Sequence, residues 1–319
     1  MKIKISENSQ LADSQRIPFL SELYGHEFHV NPRADSNNYD AWFIFGDLPK
    51  AFEATKMTSK NIFFFECETA YEEAFYKRYY VKRFYDQFDH VFGFSPYVLD
   101  DKLEPPFLPW MLDFHHGKSA FTTSYSHSLL SQTNYEEKSK KISVICSDKT
   151  KTVMQRQRLE FVRRLKSILG DELDWFGAGI NPLDRKIDGL RDYEFSICME
   201  NRQSHNIFSE KIIDPILTNT VPIYFGAPNV ADFFDVTSIL AFQKMSCDSI
   251  KEITDIIKNK EYNDFIIPLR RNKDLCLNKH NWLIRAIEKL EFYGSGPTGR
   301  ISTRILASLR TKKILSGAL

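Results

Sequence analysis

No window of this sequence approaches the about eighteen consecutive apolar residues that a membrane-crossing helix needs. The opening Met1-Lys2-Ile3-Lys4-Ile5 is too short and too charged to read as a signal peptide. Neither sign of charge is in excess, with 43 Lys and Arg against 42 Asp and Glu, so no global field gathers nucleic acid. Cysteine is sparse. The five (Cys67, Cys146, Cys198, Cys247, Cys276) are odd in number, scattered, and without Cys-x-x-Cys spacing. That excludes a disulfide framework and fits reduced thiols in a cytoplasmic protein. No repeat of solenoid period is present.

What is present is the composition of a soluble globular protein, 42% hydrophobic and 27% charged, over 319 residues, enough for two domains. Aromatics reach 14%, with 26 Phe, which suits large cores and surfaces that stack on sugars. Short apolar runs alternate with amphipathic stretches. Strands are expected at 2–6, 26–30, 41–45, 61–65 and 90–94, with helices at 14–24 and 71–88. After the polar, Ser/Thr-rich segment 117–141, read as an interdomain linker, the same alternation resumes. Strands are expected at 141–146, 173–177, 193–199, 221–225 and 238–242, and helices at 155–169, from Ser209, at 247–259 and at 282–293. The expected fold class is α/β, with domains at 1–135 and 136–275 and a C-terminal helix and tail at 276–319.

One stretch organises the rest, Asp192 to Phe234. An apolar strand ends at Glu200-Asn201, and a polar loop leads to Ser209 as N-cap of a helix opening with Glu210-Lys211. A second strand, Val221-Pro222-Ile223-Tyr224-Phe225, ends at Gly226. In an open α/β sheet such residues gather at the carboxyl edge, where helix N-termini offer amides to an anion. There a lysine neutralises phosphate and a carboxylate accepts from sugar hydroxyls. A capping box with surface charge is the plainer reading of Ser-Glu-Lys alone.

The complete run resembles the donor-binding signature of the family 10 glycosyltransferases, the α-1,3/1,4-fucosyltransferases. Tyr193, Phe195, Glu200, Asn201, Glu210, Lys211, Val221, Pro222 and Gly226 stand in that pattern. Ser209 replaces a threonine, and Ile207 stands where the family usually has an aromatic. The resemblance implies GT-B architecture, two Rossmann-like lobes facing a cleft. It also implies inverting transfer of L-fucose from GDP-β-L-fucose to a hydroxyl of an oligosaccharide or glycolipid acceptor, commonly the 3-hydroxyl of GlcNAc or Glc, as in surface polysaccharide or Lewis-type antigen synthesis.

It distributes roles as follows. Lys211 and Arg158 stabilise the departing GDP. Glu200, Asn201, Ser209 and Glu210 grip the donor, with Ser147 after its strand offering a hydroxyl or amide. Glu66 or Glu68, in the acidic segment after the strand at 61–65, is the general base; alternation puts both carboxylates on one side of the chain. Trp110, His115 and His116 are candidates for the acceptor pocket. No Asp-x-Asp occurs, so positive side chains are expected in place of a metal, and no cofactor is expected. The Gly177-Ala178-Gly179 turn is a weak signal for close backbone approach to phosphate.

The segment 299–319 interleaves Arg300, Arg304, Arg310, Lys312 and Lys313 with apolar residues. At helical spacing it forms a stripe beneath a basic face, suited to anionic lipid or to packing on the domain. A microbial enzyme in the cytoplasm, at or near the inner face of the membrane, is the resulting expectation. Two rivals stay open: the same fold with another nucleotide sugar, and a non-catalytic sugar-binding protein.

Overall fold

The computed structural model describes residues 1–7, 25–32, 37–59, 61–66, 78–93, 103–104, 112, 114–115, 120–121, 125–292 and 301–308. The chain divides into two compact units, one of residues 1–107 with 282–319, the other of residues 108–281.

The first unit is built on strands β1 (Lys2–Glu7), β2 (Glu27–Val30), β4 (Ala41–Phe45), β6 (Ile62–Phe65), β7 (His90–Phe92) and β8 (Leu103–Glu104). They form one parallel sheet in the order β2-β1-β4-β6-β7-β8. Strands β4 (AWFIF) and β6 (IFFF) are buried at every position, as a parallel sheet covered on both faces requires. Alternation sorts their side chains into two layers. Trp42, Ile44 and Phe64 face helix α1 (Arg78–Tyr85) and pack with Phe84 and Phe88. Phe45, Phe65 and Phe92 form an aromatic ladder on the other side, with stacked rings 4.5 and 4.9 Å apart.

A smaller sheet joins β3 (Asn38–Tyr39), β5 (Phe52–Met57) and, from the far end of the chain, β16 (Ser302–Ala307), in the order β16-β5-β3. Helix α7 (Trp282–Phe292) precedes β16 in the same unit. The described part of the expected basic helix is therefore a strand, antiparallel to β5. Within STRILA, Ile305 is exposed while Leu306 and Ala307 are buried, and ladder pairing with β5 overrides a spacing that also fits a helix. Residues 309–319 lie outside the described residues. No helix among the described residues is long and apolar enough to cross a membrane.

In the second unit, short strands β9 (Phe114–His115) and β10 (Ala120–Phe121) and helix α2 (His127–Gln132) lead into the main sheet. Its strands are β11 (Lys140–Ile145), β12 (Leu173–Phe176), β13 (Tyr193–Met199), β14 (Val221–Phe225) and β15 (Leu240–Ala241), all parallel, in the order β12-β11-β13-β14-β15. Helices α3 (Val153–Leu169), α4 (Glu210–Leu217) and α5 (Cys247–Asn259) follow β11, β13 and β15. Helix α3 starts with a complete capping box of Thr152 and Gln155, and α5 with one of Ser246 and Ser249. Helix α6 (Ile266–Asp274) closes the unit.

The segment expected to be a linker is structural wherever it is described. Glu136 grips Arg270 at 2.5 and 2.6 Å, and Lys138 Nζ donates to the carbonyls of Arg191 and Thr218 at 2.8 Å each. Lys273 Nζ donates to the carbonyl of Thr133. These side-chain ties fasten residues 133–138 to the second unit, so the units divide at 107/108 and not at 135/136. A polar, aperiodic sequence says nothing of such ties.

Candidate functional site

The strand order of the second sheet reverses direction between β11 and β13, and the helices after those two strands start at the same edge. A crevice outside the carboxyl ends of the strands at such a switch point is where doubly wound folds bind ligands. A cavity of about 270 Å³ lies there. Ser147, directly after β11, lines it together with Lys149, Arg158 from α3, Lys186, and Glu210 and Lys211 from the first turn of α4. Apolar groups including Ile145, Ile197, Met199 and Leu190 complete the wall. Four cations and one carboxylate on a small, partly apolar cavity favour a ligand carrying more than one negative charge.

Arg158 is buried although it lies on a helix carrying three other arginines. One of its terminal nitrogens donates to Asn201 Oδ1 at 2.5 Å, and its Nε has no hydrogen-bond acceptor among the described residues. Asn201 thus aims the guanidinium and leaves part of its donor fork free. Lys211 Nζ lies 2.9 Å from Glu210 Oε1, 3.4 Å from Ser209 Oγ and 4.0 Å from Glu200 Oε2. Burial acts to lower the Lys211 pKa, but the charges of Glu210 and Glu200 outweigh it and hold the ammonium above its ordinary value.

Glu200 is not on the cavity wall. It lies beneath it, 3% exposed, and both of its oxygens are taken by Ser209: Oε1 accepts from the amide at 2.8 Å and Oε2 from the hydroxyl at 2.7 Å. Its burial raises its pKa above the carboxylate norm. Ser209 Oγ in turn accepts from the Lys211 amide as N-cap of α4. This pair therefore fixes where α4 begins. Gly226 is required beside it, since a Cβ there would come within 2.0 Å of the Tyr224 hydroxyl and 2.7 Å of Glu200 Cγ.

Two further groups carry charge into the site without any motif to announce them. Lys186, 9% exposed, sits 2.7 Å from Asp214 Oδ2 and 3.8 Å from Glu210 Oε1. Asp214 is fully buried, one helical turn beyond Glu210. An acid on the apolar stripe of EKIIDPIL was a legible signal that a cation must meet it. The loop that supplies Lys186 carried none.

Burial acts to raise Glu210, but Lys211 and then Lys186 hold its carboxyl down to about 2. A carboxyl with a lowered folded-state pKa stabilises the fold above its ordinary value of 4.5 and loses that contribution as pH falls toward 2. Glu210→Gln is therefore expected to flatten the acid side of the stability curve between those values, as measured by urea unfolding at stepped pH.

The Gly-Ala-Gly turn serves the same edge. Gly177 has φ +148° and lies against the chain at Cys146, so a Cβ would meet the Cys146 carbonyl oxygen at 2.4 Å. Gly179 has φ +80° and lies against the Asp148 carboxylate, and Ala178 between them lines the cavity. Gly177→Ala, which combines a strained φ with a backbone clash, is expected to cost about 2–3 kcal/mol of stability in denaturant unfolding.

His205 is exposed. Ile207 is buried, and its carbonyl accepts from the Tyr224 hydroxyl at 3.4 Å, so its side chain serves the core.

In the first unit, Glu66 directly follows β6 at the carboxyl edge of that sheet and is 4% exposed. Its Oε1 accepts from the Tyr85 hydroxyl at 2.6 Å, and Gly93 leaves room for the carboxylate, which a Cβ there would strike at 2.3 Å. Glu68, Trp110 and His116 lie outside the described residues. His115 belongs to β9, and its side chain lies outside them too. Among the described residues, no three His, Cys, Asp or Glu side chains are placed to hold a metal ion.

Residues 135–283, which include every group on the cavity wall, match the family described as glycosyltransferase family 10 (fucosyltransferase), C-terminal part. The α-(1,3)-fucosyltransferase FucT of Helicobacter pylori is 42% identical over 55 residues, 17% of this chain and 12% of that protein. The match thus spans only about an eighth of that relative's length. Among solved structures, an α1,3-fucosyltransferase with GDP superposes with a TM-score of 0.50 at 18% identity, covering 91% of this chain and 89% of that one. An α1,3-fucosyltransferase with GDP-fucose gives 0.48 at 20% identity, over 84% and 81%. The α/β fold is of the GT-B class that the resemblance implied, and residues 135–283, a little under half of the chain, match the model of glycosyltransferase family 10.

Proposed function

We propose that this protein transfers L-fucose from GDP-β-L-fucose to a hydroxyl of a glycan acceptor, with inversion at the anomeric carbon. The observation that carries the proposal is the pairing of Arg158 and Lys211 on one cavity at the switch point of the second sheet. The diphosphate of the donor lies against these two cations. Glu210 accepts from ribose or fucose hydroxyls, and Ser147 offers its hydroxyl or amide to phosphate. Glu66 takes the proton of the acceptor hydroxyl. The freed oxygen forms the new bond to the anomeric carbon as the bond from that carbon to the phosphate oxygen breaks. GDP leaves with its new charge held by Arg158 and Lys211, and no metal is needed for that charge. The buried setting of Glu66 beside Tyr85 suits a general base.

A fluorescence titration with GDP-fucose, GDP-mannose and UDP-sugars tests the donor. GDP-fucose is expected to bind at least about tenfold more tightly than the others, in line with discrimination by buried polar contacts. Binding of UDP-sugars in preference to any guanine nucleotide would overturn the proposal. Release of GDP across a panel of glycans identifies the acceptor, for which the 3-hydroxyl of GlcNAc or Glc is the first candidate.

A further inference from the structure

Around the cavity, charges alternate in one chain of buried and partly buried groups. Asp214 meets Lys186 at 2.7 Å, Lys186 meets Glu210 at 3.8 Å, Glu210 meets Lys211 at 2.9 Å, and Lys211 meets Glu200 at 4.0 Å. The two lysines thus approach the same oxygen, Glu210 Oε1, from different elements. Lys211 comes from the helix of Glu210 itself, and Lys186 from the one-turn 3-10 helix Lys186–Gly189. This matters for any anion entering the cavity. As Lys211 swings to a phosphate oxygen, Glu210 loses its nearest cation while a second negative group arrives beside it. A buried carboxylate in that position is costly unless another positive group faces it.

We propose that Lys186 is a positioning residue of the donor site: it keeps Glu210 in place and counter-charged while Lys211 turns to the diphosphate. This rests on the donor reading above. Asp214 makes the device specific. It holds the Lys186 ammonium at 2.7 Å, closer than Glu210 does at 3.8 Å, so Lys186 stays behind when Lys211 moves. The groups facing Glu210 are Lys211 and Ser209 on α4, Lys186 from its 3-10 turn, and Glu200 from the end of β13. The low pKa of Glu210 agrees with two cations sharing it.

The bland reading of Lys186 is that it merely neutralises buried Asp214. Exchanging the whole pair for apolar groups separates the two, because replacing both partners of a buried ion pair is often neutral for stability. In Lys186→Met/Asp214→Leu, calorimetry is expected to show GDP binding weakened about tenfold at neutral pH. The ratio of variant to wild-type affinity should rise back toward one as pH drops through the ordinary glutamate range, since Glu210 in the variant there takes up a proton and no longer needs a counter-charge. Titration of GDP itself cancels in that ratio. With Glu210→Gln added, the exchange should change affinity less than about twofold, because its target is gone.

An apolar pair that binds GDP as the wild type does, with the same pH dependence, overturns the proposal. If that variant does not fold by circular dichroism, Lys186→Gln is measured with and without Glu210→Gln. Equal losses in both backgrounds then overturn it, and a loss only with Glu210 present supports it. Wild-type protein that binds no GDP removes the donor reading itself, and this proposal with it.

Discussion

Lys211→Ala is expected to lower the proposed fucosyl transfer by roughly 10²–10³-fold, the loss seen when one preorganised group that meets developing charge is removed. In a site with effective dielectric near 20, a cation about 4 Å from a phosphate oxygen contributes roughly 4 kcal/mol. Part of that is already present in the bound donor, so both kcat and KM for the donor should worsen, and kcat more. A second effect adds to the first. Lys211 lies between Glu210 and Glu200, and without it the two carboxylates face each other with only Lys186 nearby. Glu200, whose pKa is already raised by burial, should then hold its proton to still higher pH. The activity loss is expected to be greatest at alkaline pH, where the variant must bury both negative charges. Lys211→Arg should recover little, since a planar fork does not fit where a compact ammonium touches Glu210 and Ser209 together.

Glu66→Gln is expected to lower kcat by roughly 10²–10⁴-fold, the usual worth of general base catalysis, with GDP affinity within about twofold of the wild type. The split follows from the fold. Glu66 belongs to the first unit, and every group on the cavity assigned to GDP in the proposal belongs to the second. Glutamine keeps the shape and still accepts from the Tyr85 hydroxyl, so the fold has no reason to suffer. Steady-state kinetics with GDP release as the readout, beside a GDP titration, measures both halves of the expectation. A variant with normal kcat would move the base to Glu68.

How far the sequence shows these features depends on whether a residue's partner is near in the chain. Strands β4, β6, β13 and β14 are apolar runs bounded by Gly or polar residues, and their limits match expectation to within a residue. Helix α5 matches at both ends, because Ser246 caps it locally. Strand β5 was not visible: FEATKM mixes charges with small and apolar residues, and its pairing partner β16 lies some 250 positions on. The same distance explains the helical misreading of β16. In the site, Arg158 and Lys211 were legible and do share a cavity. Glu200 and Asn201 were legible as polar residues at a strand end, but not that one seats Ser209 and the other aims Arg158, since neither contact leaves a local pattern. Lys186 was invisible because its two carboxylate partners are 24 and 28 positions away.

The most direct test is a calorimetric titration of GDP and of guanosine into the wild type and into Arg158→Ala/Lys211→Ala, with folding checked by circular dichroism. GDP should bind the wild type far more tightly than guanosine, and the double variant should hold the two about equally weakly. A folded double variant that still prefers GDP over guanosine as the wild type does would contradict the assignment of these two cations to the diphosphate.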